Sequence, residues 1–254
     1  MMKVTFLGTG TSQGVPVIAC DCDVCLSENE KDKRLRSSIL IEEKNQTIVI
    51  DTGPDFRQQM LRENVQQLDA VVFTHEHKDH IAGLDDVRAF NFKQKKDMPI
   101  YATHEVQEGL KREFFYAFAE KKYPGVPLLE LKTIGSESFK IGNVEFTPID
   151  VWHYKMPVKA FRINNFTYIT DANRIEESEK EKIKGSEIIV INALRKEPHI
   201  SHFTLDEAVE LLKELNPKKA YLTHISHLLG KHELVNQELP DFIEIAYDGL
   251  IINC

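Results

Sequence analysis

The chain has 254 residues, of which 42% are hydrophobic and 28% are charged. This balance is typical of a globular protein and excludes an intrinsically disordered chain. The net charge of −8 argues against a protein whose main task is to grip nucleic acid, because such proteins usually carry a basic surface.

The N-terminal residues Met1 to Gly8 have the pattern of a first β-strand. They lack the long apolar stretch and cleavage site of a signal peptide, and no apolar run in the chain reaches the roughly 18 residues of a membrane helix. We therefore expect a cytoplasmic protein that does not associate with a membrane. The length fits one large α/β domain spanning residues 1–254.

Short β-type runs alternate with helical patterns along the chain. Strands are predicted at 3–7, 38–41, 47–50, 70–74, 100–102, 144–150, 160–163, 166–170, 188–192, 219–222 and 250–253, and helices at 56–63, 83–90, 105–121, 176–184, 204–215 and 232–238. The clearest helix is 204–215, where Thr204 and Glu207 form a capping-box pattern and Asn216-Pro217 ends the helix. This order predicts a β-sandwich covered by helices.

Three of the four cysteines lie close together as Cys20-x-Cys22-x-x-Cys25, and the fourth is Cys254. In a chain without an export signal, such a cluster favours a metal site over a disulfide framework. The alternative is a set of three reduced surface thiols.

The densest group of potential metal ligands follows the apolar run Val71–Thr74 in the sequence His75-Glu76-His77-Lys78-Asp79-His80. Imidazole and carboxylate together suit zinc, manganese or iron. In a loop after a strand, His75 and His77 can face one ion, while Asp79 and His80 turn toward a second. The sequence therefore predicts a site with two metal ions.

Three further polar residues each stand at the end of a β-type run, namely His153, Asp171 and His224. Loops at strand ends are where a site built from several elements needs its side chains. Each of these residues alone favours a structural interpretation, but their order along the chain favours a common site.

The H-x-H-x-D-H motif, preceded by Ile50-Asp51-Thr52-Gly53, resembles the signature of the metallo-β-lactamase superfamily. The resemblance implies an αβ/βα sandwich of two mixed β-sheets flanked by helices, with metals at one edge of the sheets. It also implies the ligand sets. His75, His77 and His153 would hold one ion, Asp79, His80 and His224 would hold the other, and Asp171 would bridge the two. Asp51 would orient a ligand histidine.

The N-terminal Gly8-Thr9-Gly10-Thr11-Ser12 sequence, the cysteine trio and Thr223-His224-Ile225-Ser226-His227 resemble the phosphoribosyl cyclic phosphodiesterases of phosphonate breakdown. That resemblance implies a structural zinc ion held by Cys20, Cys22, Cys25 and His227, a closed Cys₃His shell. It covers almost the whole chain, from Gly8 to Gly249, and carries a family tendency toward homodimers.

The function implied is hydrolysis of a small phosphodiester, most simply a cyclic one, by a dinuclear centre of zinc, manganese or iron. A hydroxide shared by the two ions would attack phosphorus. The resemblance assigns catalytic roles to Asp79 and to His202, which would protonate the leaving oxygen, with His199 as the competing acid. The loop Gly8–Gly14 is expected either to bind an anion through its amides or to form a tight turn. His104 and His232 are expected at the surface.

Residues 91–127 interrupt the strand pattern with many aromatic, lysine and glutamate side chains. We expect a helical insertion whose aromatics pack on the domain, the alternatives being a lid over the site or a dimer contact. Substrate specificity is most open to change in this segment.

Three other functions stay open. A ribonuclease similar to tRNase Z shares the opening Gly-Thr-x-Ser pattern and the histidine motif, although the acidic charge and the cysteine trio argue against it. A thioester or lactone hydrolase can share the same fold, because fold does not fix function. A binding module that retains metal without turnover is the third.

Overall fold

Two β-sheets packed face to face form the centre of the molecule in the computed structural model, which describes residues 1–254. The strands are β1 Lys3–Gly8, β2 Ser38–Glu43, β3 Gln46–Ile50, β4 Ala70–Val72, β5 Met98–Ala102, β6 Leu129–Thr133, β7 Phe139–Ile141, β8 Val144–His153, β9 Met156–Ile163, β10 Phe166–Ile169, β11 Arg174–Ile175, β12 Ile188–Asn192, β13 Lys219–Thr223, β14 Ile243–Ile245 and β15 Ile251–Asn253.

Eight α-helices lie along the chain between these strands. They are α1 Phe56–Arg62, α2 Lys78–Ile81, α3 Arg88–Gln94, α4 His104–Glu113, α5 Phe115–Phe118, α6 Glu177–Ile183, α7 Leu205–Leu215 and α8 His232–Glu238, with short 3₁₀ turns at Glu30–Asp32, Leu84–Val87 and His227–Leu229. None of the helices has the length and apolar content needed to cross a lipid bilayer.

The first sheet has the strand order β15-β1-β2-β3-β4-β5-β6, and the second has β11-β8-β9-β10-β12-β13-β14 with β7 paired to β8. Each sheet contains antiparallel neighbours and a run of parallel strands, β3 to β6 in the first and β10, β12, β13 and β14 in the second. The predicted sandwich of two mixed sheets flanked by helices is therefore confirmed.

Apolar side chains fill three layers of this architecture. The layer between the sheets contains Phe6, Ile50, Phe161 and Tyr168, all fully buried. The outer face of the first sheet packs against α1, α3 and α4, and that of the second against α6, α7 and α8. Because alternate residues of a strand point to opposite faces, strands buried on both faces are almost wholly apolar, as Ile188–Asn192 is.

Parallel strands bring their carboxyl ends to the same edge of a sheet, and here the two sheets present those ends at a common edge. Asp51 follows β3, the histidine motif follows β4, Asp171 follows β10 and His224 follows β13. The topology thus collects residues that lie far apart in the sequence.

The segment 91–127 contains the end of α3, the strand β5, which is next to the edge of the first sheet, and the helices α4 and α5. The helix expected at 105–121 is divided into two shorter helices, with Phe114 at the break. Phe114 is buried, whereas Phe92, Phe115 and Tyr123 are exposed. Part of the aromatic content therefore packs on the domain and part faces solvent.

Candidate metal centre

The predicted ligands of the dinuclear site meet at the common edge of the two sheets. Donor atoms of Asp79, His80, Asp171 and His224 all lie within 4.8 Å of one another, and so do those of His153, Asp171 and His202. The rings of His75 and His77 are 4.6 Å apart between centroids, and those of His77 and His153 are 5.1 Å apart. One continuous cluster of imidazoles and carboxylates results.

The cluster has a buried floor and an exposed rim. His75, His80, Asp171 and His224 are at most 1% exposed, whereas His77 is exposed at the surface. Asp79 and His153 have intermediate exposure. A small molecule can therefore approach from the side of His77, and the opposite side is closed by the core.

Three residues of this region have left-handed backbone conformations, with φ of 65° at Asp51, 51° at Asp171 and 57° at His224. Such conformations are uncommon outside glycine and cluster at functional sites. Each of these three residues follows the end of a strand. Its left-handed backbone begins the turn that directs its own side chain toward the cluster.

Asp51 fixes the orientation of two histidines. Its Oδ2 lies 2.8 Å from His80 Nδ1 and accepts the Thr74 hydroxyl at 2.8 Å. Because that hydroxyl donates to Asp51, Thr74 Oγ1 can only accept from His75 Nδ1, which is 2.9 Å away. Both rings therefore carry their proton on Nδ1 and present an Nε2 lone pair to the cluster.

Two other histidines have the same tautomer. Ser37 Oγ donates to the carbonyl of Gly10 at 2.9 Å, so it accepts from His224 Nδ1 at 3.1 Å. His153 Nδ1 donates to the carbonyl oxygen of Ser201 at 2.9 Å. Hydrogen bonds of this kind are those that orient metal-binding histidines.

This arrangement places acceptor atoms against one another. His80 Nε2 lies 2.9 Å from Asp171 Oδ2 and 3.2 Å from Asp79 Oδ2, and His224 Nε2 lies 3.0 Å from Asp171 Oδ1. The buried His75 Nε2 has no hydrogen-bond partner. Lone pairs facing carboxylates are stable only with a cation or proton between them, so the residues fit divalent metal ions.

The electrostatics of the cluster agree with that fit. Burial lowers the pKa of His75 well below its ordinary value and lowers that of His153 to about 4, which keeps both rings neutral. Burial alone would also lower the pKa of His80, but the carboxylates of Asp171 and Asp79 raise it well above its ordinary value. The carboxylates thus draw positive charge to the position where a cation would bind.

His202 lies inside the cluster and is 8% exposed. Its Nε2 is 2.9 Å from Asp171 Oδ1, and since a carboxylate accepts, this nitrogen carries a proton. Its Nδ1 is 3.0 Å from His199 Nδ1. Of the two candidate acids, His202 is therefore the one that lies in the cluster. His199 lies on the far side of the His202 ring and is its hydrogen-bond partner.

The predicted structural zinc ligands also converge. The sulfur atoms of Cys20, Cys22 and Cys25 lie 3.4, 3.3 and 3.5 Å from His227 Nδ1. A tetrahedral zinc ion with ordinary bond lengths has ligand-to-ligand distances of about 3.6 Å, so the geometry fits. Hydrogen bonds from the Cys25 amide and from His227 lower the pKa of Cys22 to about 6, whereas burial raises the pKa of Cys25 to about 11, so of these two thiols only Cys22 favours the thiolate before a metal binds.

The loop Gly8–Gly14 forms a turn whose amides are largely occupied. The amide of Thr9 donates to Asp248, that of Gly10 to Leu35, that of Thr11 to Ile225, and that of Gly14 back to Thr11. These four hydrogen bonds tie the loop to the fold, and the Gly14-to-Thr11 bond closes a turn within it.

One expectation about histidines is wrong. His232 is 4% exposed, because it packs at the start of α8 against Arg34 and Asp32. His104 is exposed, as expected.

Sequence reasoning did not identify Ser37 or Thr74, whose hydroxyls orient His224 and His75. It also missed Thr11, whose hydroxyl lies 3.2 Å from His224 Nε2. Serine and threonine near a strand carry no motif of their own, and only the partners across the fold reveal these contacts.

Residues 46–225 match the family described as the beta-lactamase superfamily domain. A solved structure described as a new diphosphatase from the PhnP family is 38% identical, with a TM-score of 0.94, and the match covers 100% of this chain and 98% of that one.

Two other matches extend the comparison. The Zn²⁺-bound PqqB structure from Methylobacterium extorquens has a TM-score of 0.80 over 99% of this chain and all of that one, but at 18% identity it supports the fold alone. A protein of Porphyromonas gingivalis (strain ATCC BAA-308 / W83) named octanoyltransferase is 36% identical over 252 residues, which is 98% of this chain. The chain spans about half (51%) of the length of that relative.

Proposed function

Because this chain belongs to the metallo-β-lactamase superfamily, and within it to the PhnP-like proteins, we propose that it is a dinuclear metal-dependent phosphodiesterase acting on a small, cyclic phosphodiester. The observation that carries the proposal is the set of four imidazoles fixed as Nδ1–H tautomers, two of which direct Nε2 at the carboxylate of Asp171. The close similarity to a PhnP-family diphosphatase along the whole chain supports phosphorus chemistry.

In this proposal the residues divide into three sets. His75, His77 and His153 would hold one divalent ion, and Asp79, His80 and His224 would hold the second. Asp171 would be a ligand of both, because its oxygens face His80 and His224 and its carboxylate lies within 4.8 Å of a ring nitrogen of His153. Cys20, Cys22, Cys25 and His227 hold a structural zinc ion. Zinc, manganese and iron all suit the first two sets.

Two divalent ions would supply a Lewis acid for the phosphoryl oxygens and an acidified water as nucleophile. The protein contributes a fixed ligand geometry and a proton. His202 holds that proton on Nε2, which lies 2.9 Å from Asp171 Oδ1 inside the ligand cluster. We assign it the role of protonating the leaving oxygen, and we assign His199 the role of orienting the His202 ring through the bond between their Nδ1 atoms.

Replacing His202 with alanine should lower kcat strongly on a diester with an alkoxide leaving group. General acid catalysis contributes about 10²- to 10⁴-fold, and nitrophenolate needs no such help. The loss on a nitrophenyl diester should therefore be much smaller, and both rates can be measured on the same metal-loaded preparation. Equal losses on the two substrates would remove His202 from the acid role. The ratio of the loss on the alkoxide diester to the loss on the nitrophenyl diester should be larger for His202→Ala than for His199→Ala. The opposite order would assign the acid role to His199.

The proposal itself is tested by a panel of substrates. Purified protein is stripped of metal, reloaded with Mn²⁺ or Zn²⁺, and incubated with 5-phosphoribosyl 1,2-cyclic phosphate, a linear phosphodiester, a diphosphate diester and precursor tRNA. Phosphorus NMR follows the products. We expect the cyclic diester to open and the RNA to stay intact. Absence of turnover with either metal, despite full metal occupancy, would overturn the proposal.

A second candidate is hydrolysis of an acyl thioester. It is favoured by the 36% identity to about half of a protein named octanoyltransferase. An octanoyl thioester is therefore included in the panel, with release of free thiol as the measurement. Cleavage of this substrate faster than any phosphodiester would make the thioesterase the better assignment.

A further inference from the structure

A depression of about 440 Å³ opens directly onto the proposed metal centre. Its wall includes His77 and His153, two of the proposed ligands of the first ion. The rest of the wall comes from two segments, the hairpin turn that joins β8 to β9 and the loop that carries Ile200. A molecule bound at the metals through one phosphate group can therefore place its organic part in this depression.

Three hydrogen bonds hold the two segments against each other. The amide of Tyr154 donates to Asn173 Oδ1 at 2.8 Å, and Asn173 Nδ2 donates to the carbonyl oxygen of Ile200 at 3.1 Å. His153 Nδ1 donates to the carbonyl oxygen of Ser201 at 2.9 Å. The shape of the depression is therefore set partly by the same contact that orients a proposed metal ligand.

Tyr154 has a backbone conformation that glycine normally adopts. His153 pairs with Met156 between β8 and β9, so Tyr154 and Lys155 form a two-residue hairpin loop. Tyr154 has φ of 59° and is the only one of these two residues with a positive φ, and glycine is preferred at the first position of such a loop. Tyr154 is nevertheless large and 47% exposed. Strained residues of this kind cluster at ligand sites.

Lys155 supplies the one ammonium group on the wall of the depression, and no carboxylate side chain is part of that wall. Lys155 is exposed and forms no salt bridge, and its Nζ lies 5.2 Å from the centroid of the Tyr154 ring. Its charge is therefore free to pair with an anionic group of a bound molecule, which strengthens the hydrogen bonds that the ammonium group donates.

We infer that Tyr154 and Lys155 are specificity-determining residues. Tyr154 and Ile200 enclose the organic ring of the substrate, and Lys155 pairs with a second phosphate at the far end of that ring. This inference rests on the proposed phosphodiesterase function and adds to it the residues that select among phosphodiesters by their remote charge. The metals take the diester anion, and the hairpin loop binds the rest of the molecule.

Two cyclic diesters that differ by one phosphate test the role of Lys155. Metal-loaded protein is compared on 5-phosphoribosyl 1,2-cyclic phosphate and on ribosyl 1,2-cyclic phosphate, which lacks the 5-phosphate. In the wild type we expect kcat/KM to be about tenfold higher for the first compound, and Lys155→Met should remove most of this advantage. Lys155→Arg keeps the charge and should retain it. Equal ratios of the two rates in the wild type and in Lys155→Met would overturn the inference.

Lys44 offers a matched control for the loss of a lysine from a hairpin loop. It lies in the two-residue loop between Glu43 and Gln46, and its Nζ donates to the carbonyl oxygen of Asn143, away from the depression. Lys44→Met changes the net charge of the protein by the same amount, so it should keep the wild-type ratio of the two rates. If Lys44→Met loses the advantage as Lys155→Met does, the preference reflects net charge and the inference is wrong.

Tyr154→Gly separates a ligand-binding role of the ring from a structural one. Glycine adopts a φ of 59° without strain, so the Tm of this variant should equal or exceed that of the wild type. Loss of the ring should still lower kcat/KM on both cyclic diesters about tenfold, mainly through a higher KM. Tyr154→Phe restores the ring and should recover most of the loss. A lower Tm, or a stabilised protein with full activity, would contradict the role assigned to the ring.

A binding measurement gives a readout that is independent of turnover. Ribose 1,5-bisphosphate and ribose 1-phosphate are titrated calorimetrically into the metal-loaded wild type and into Lys155→Met. The bisphosphate should bind the wild type about tenfold more tightly than the monophosphate, and the two should bind Lys155→Met with similar affinity. If this difference appears but no diester is hydrolysed with any metal, only the proposed function fails. If diesters are hydrolysed and neither the affinities nor the rates depend on Lys155, only the specificity assignment fails.

Discussion

Ser37 illustrates how a single hydroxyl can set the state of a buried histidine. It is 1% exposed, donates to Gly10 and therefore accepts from His224 Nδ1. Without this acceptor, the Nδ1 proton of His224 would lie buried and unpaired, and the ring would no longer be held in the tautomer that frees Nε2. Ser37 is therefore a positioning residue for the second ion of the proposed site.

Ser37→Ala should weaken metal binding about 10- to 100-fold, the usual effect of losing such a bond. The loss should affect one ion per chain, because the partners of His75 and His153 are unchanged. Competition with a chromophoric chelator and metal counting measure this. Ser186→Ala is a control for the loss of a buried serine hydroxyl, since Ser186 bonds Thr167 away from the site. Equal affinity in the two variants would contradict the assignment.

His232 shows how a neighbouring cation restricts protonation. The Arg34 guanidinium has only donors, so Nη2 donates to His232 Nδ1 at 3.2 Å, and a proton on that nitrogen would place two cations together. Burial and the charge of Arg34 lower the pKa of His232 from 6.5 to about 4. The neutral ring is therefore the native form.

This lowered pKa predicts a pH dependence of stability. Above 6.5 the ring is neutral in both the folded and unfolded states. As pH falls from 6.5 toward about 4, the unfolded state binds a proton that the folded state does not, so stability is lost in that window. The slope is at most about 1.4 kcal/mol per pH unit. His232→Asn keeps an acceptor for Arg34 without a titrating group, so it should lose less stability on acidification.

Urea unfolding of both proteins at neutral pH and within this window measures the difference. Other buried histidines contribute equally to the two proteins, so only the gap between them is attributed to His232. Parallel curves for the wild type and the variant would refute the prediction.

At the scale of elements, α7 connects a local sequence signal to the site. The Thr204 hydroxyl accepts from the Glu207 amide at 3.2 Å, and Glu207 accepts from the Thr204 amide at 2.8 Å, so the predicted capping box is confirmed. The helix begins three residues after His202. The capping box therefore lies at the end of the loop that carries His202, the proposed general acid.

Thr204→Ala should cost about 1 kcal/mol of stability, which lowers Tm by about 2–4 °C in a chain of this size. Thr204→Ser retains the hydroxyl and should remain near the wild type. Differential scanning calorimetry distinguishes them. If the alanine and serine variants melt together, the capping box does not stabilise the fold.

The elements that sequence predicts best are those with strong apolar patterns. β12 and β13 are nearly continuous apolar runs, and α7 has both a cap and an apolar stripe. The sequence pattern does not predict β6, β7, β11 or β14. β6 alternates with charged residues, and the other three strands have only two or three residues each. Short or polar strands depend on pairing with distant neighbours, which a local window does not contain.

The residues of the candidate site differ in the same way, since some have a local sequence signal and others depend on distant contacts. The run from His75 to His80 is local and recognisable from its spacing alone. His153 ends β8, and Asp171 and His224 follow β10 and β13, so these three residues could be sought at the ends of β-type runs. The contact of Ser37 with His224 joins residues 187 positions apart. The burial of His232 depends on Arg34 and Asp32, about 200 positions earlier. Such contacts follow from topology rather than from spacing.

At the scale of the whole molecule, the two ends of the chain are joined beside the metal centre. Asp248 accepts hydrogen bonds from the amides of Thr9 and Leu35, and Arg34 donates to the carbonyl of Ala246. The cysteine cluster adds a second connection, because residues 20–25 meet His227 three residues after His224. The proposed structural zinc would therefore hold the N-terminal loop against the segment that supplies a catalytic ligand.

Cys25→Ser should remove that zinc ion, because a serine hydroxyl is a poor zinc ligand and Cys25 is the most buried of the three cysteines. A ligand present at a hundred times its Kd stabilises the folded state by about 2.7 kcal/mol, so Tm should fall by roughly 5–10 °C. The affinity of the second catalytic ion should also decrease, since His224 lies on the released segment. Metal counting by mass spectrometry and thermal melts measure both effects. Cys254→Ser is the control, because Cys254 ends the chain next to Met2 rather than at the cluster and should leave the zinc count unchanged. A Cys25→Ser protein that retains its full zinc content would show that the thiols hold no metal and that the N-terminal loop is held in place by Asp248 and Arg34 alone.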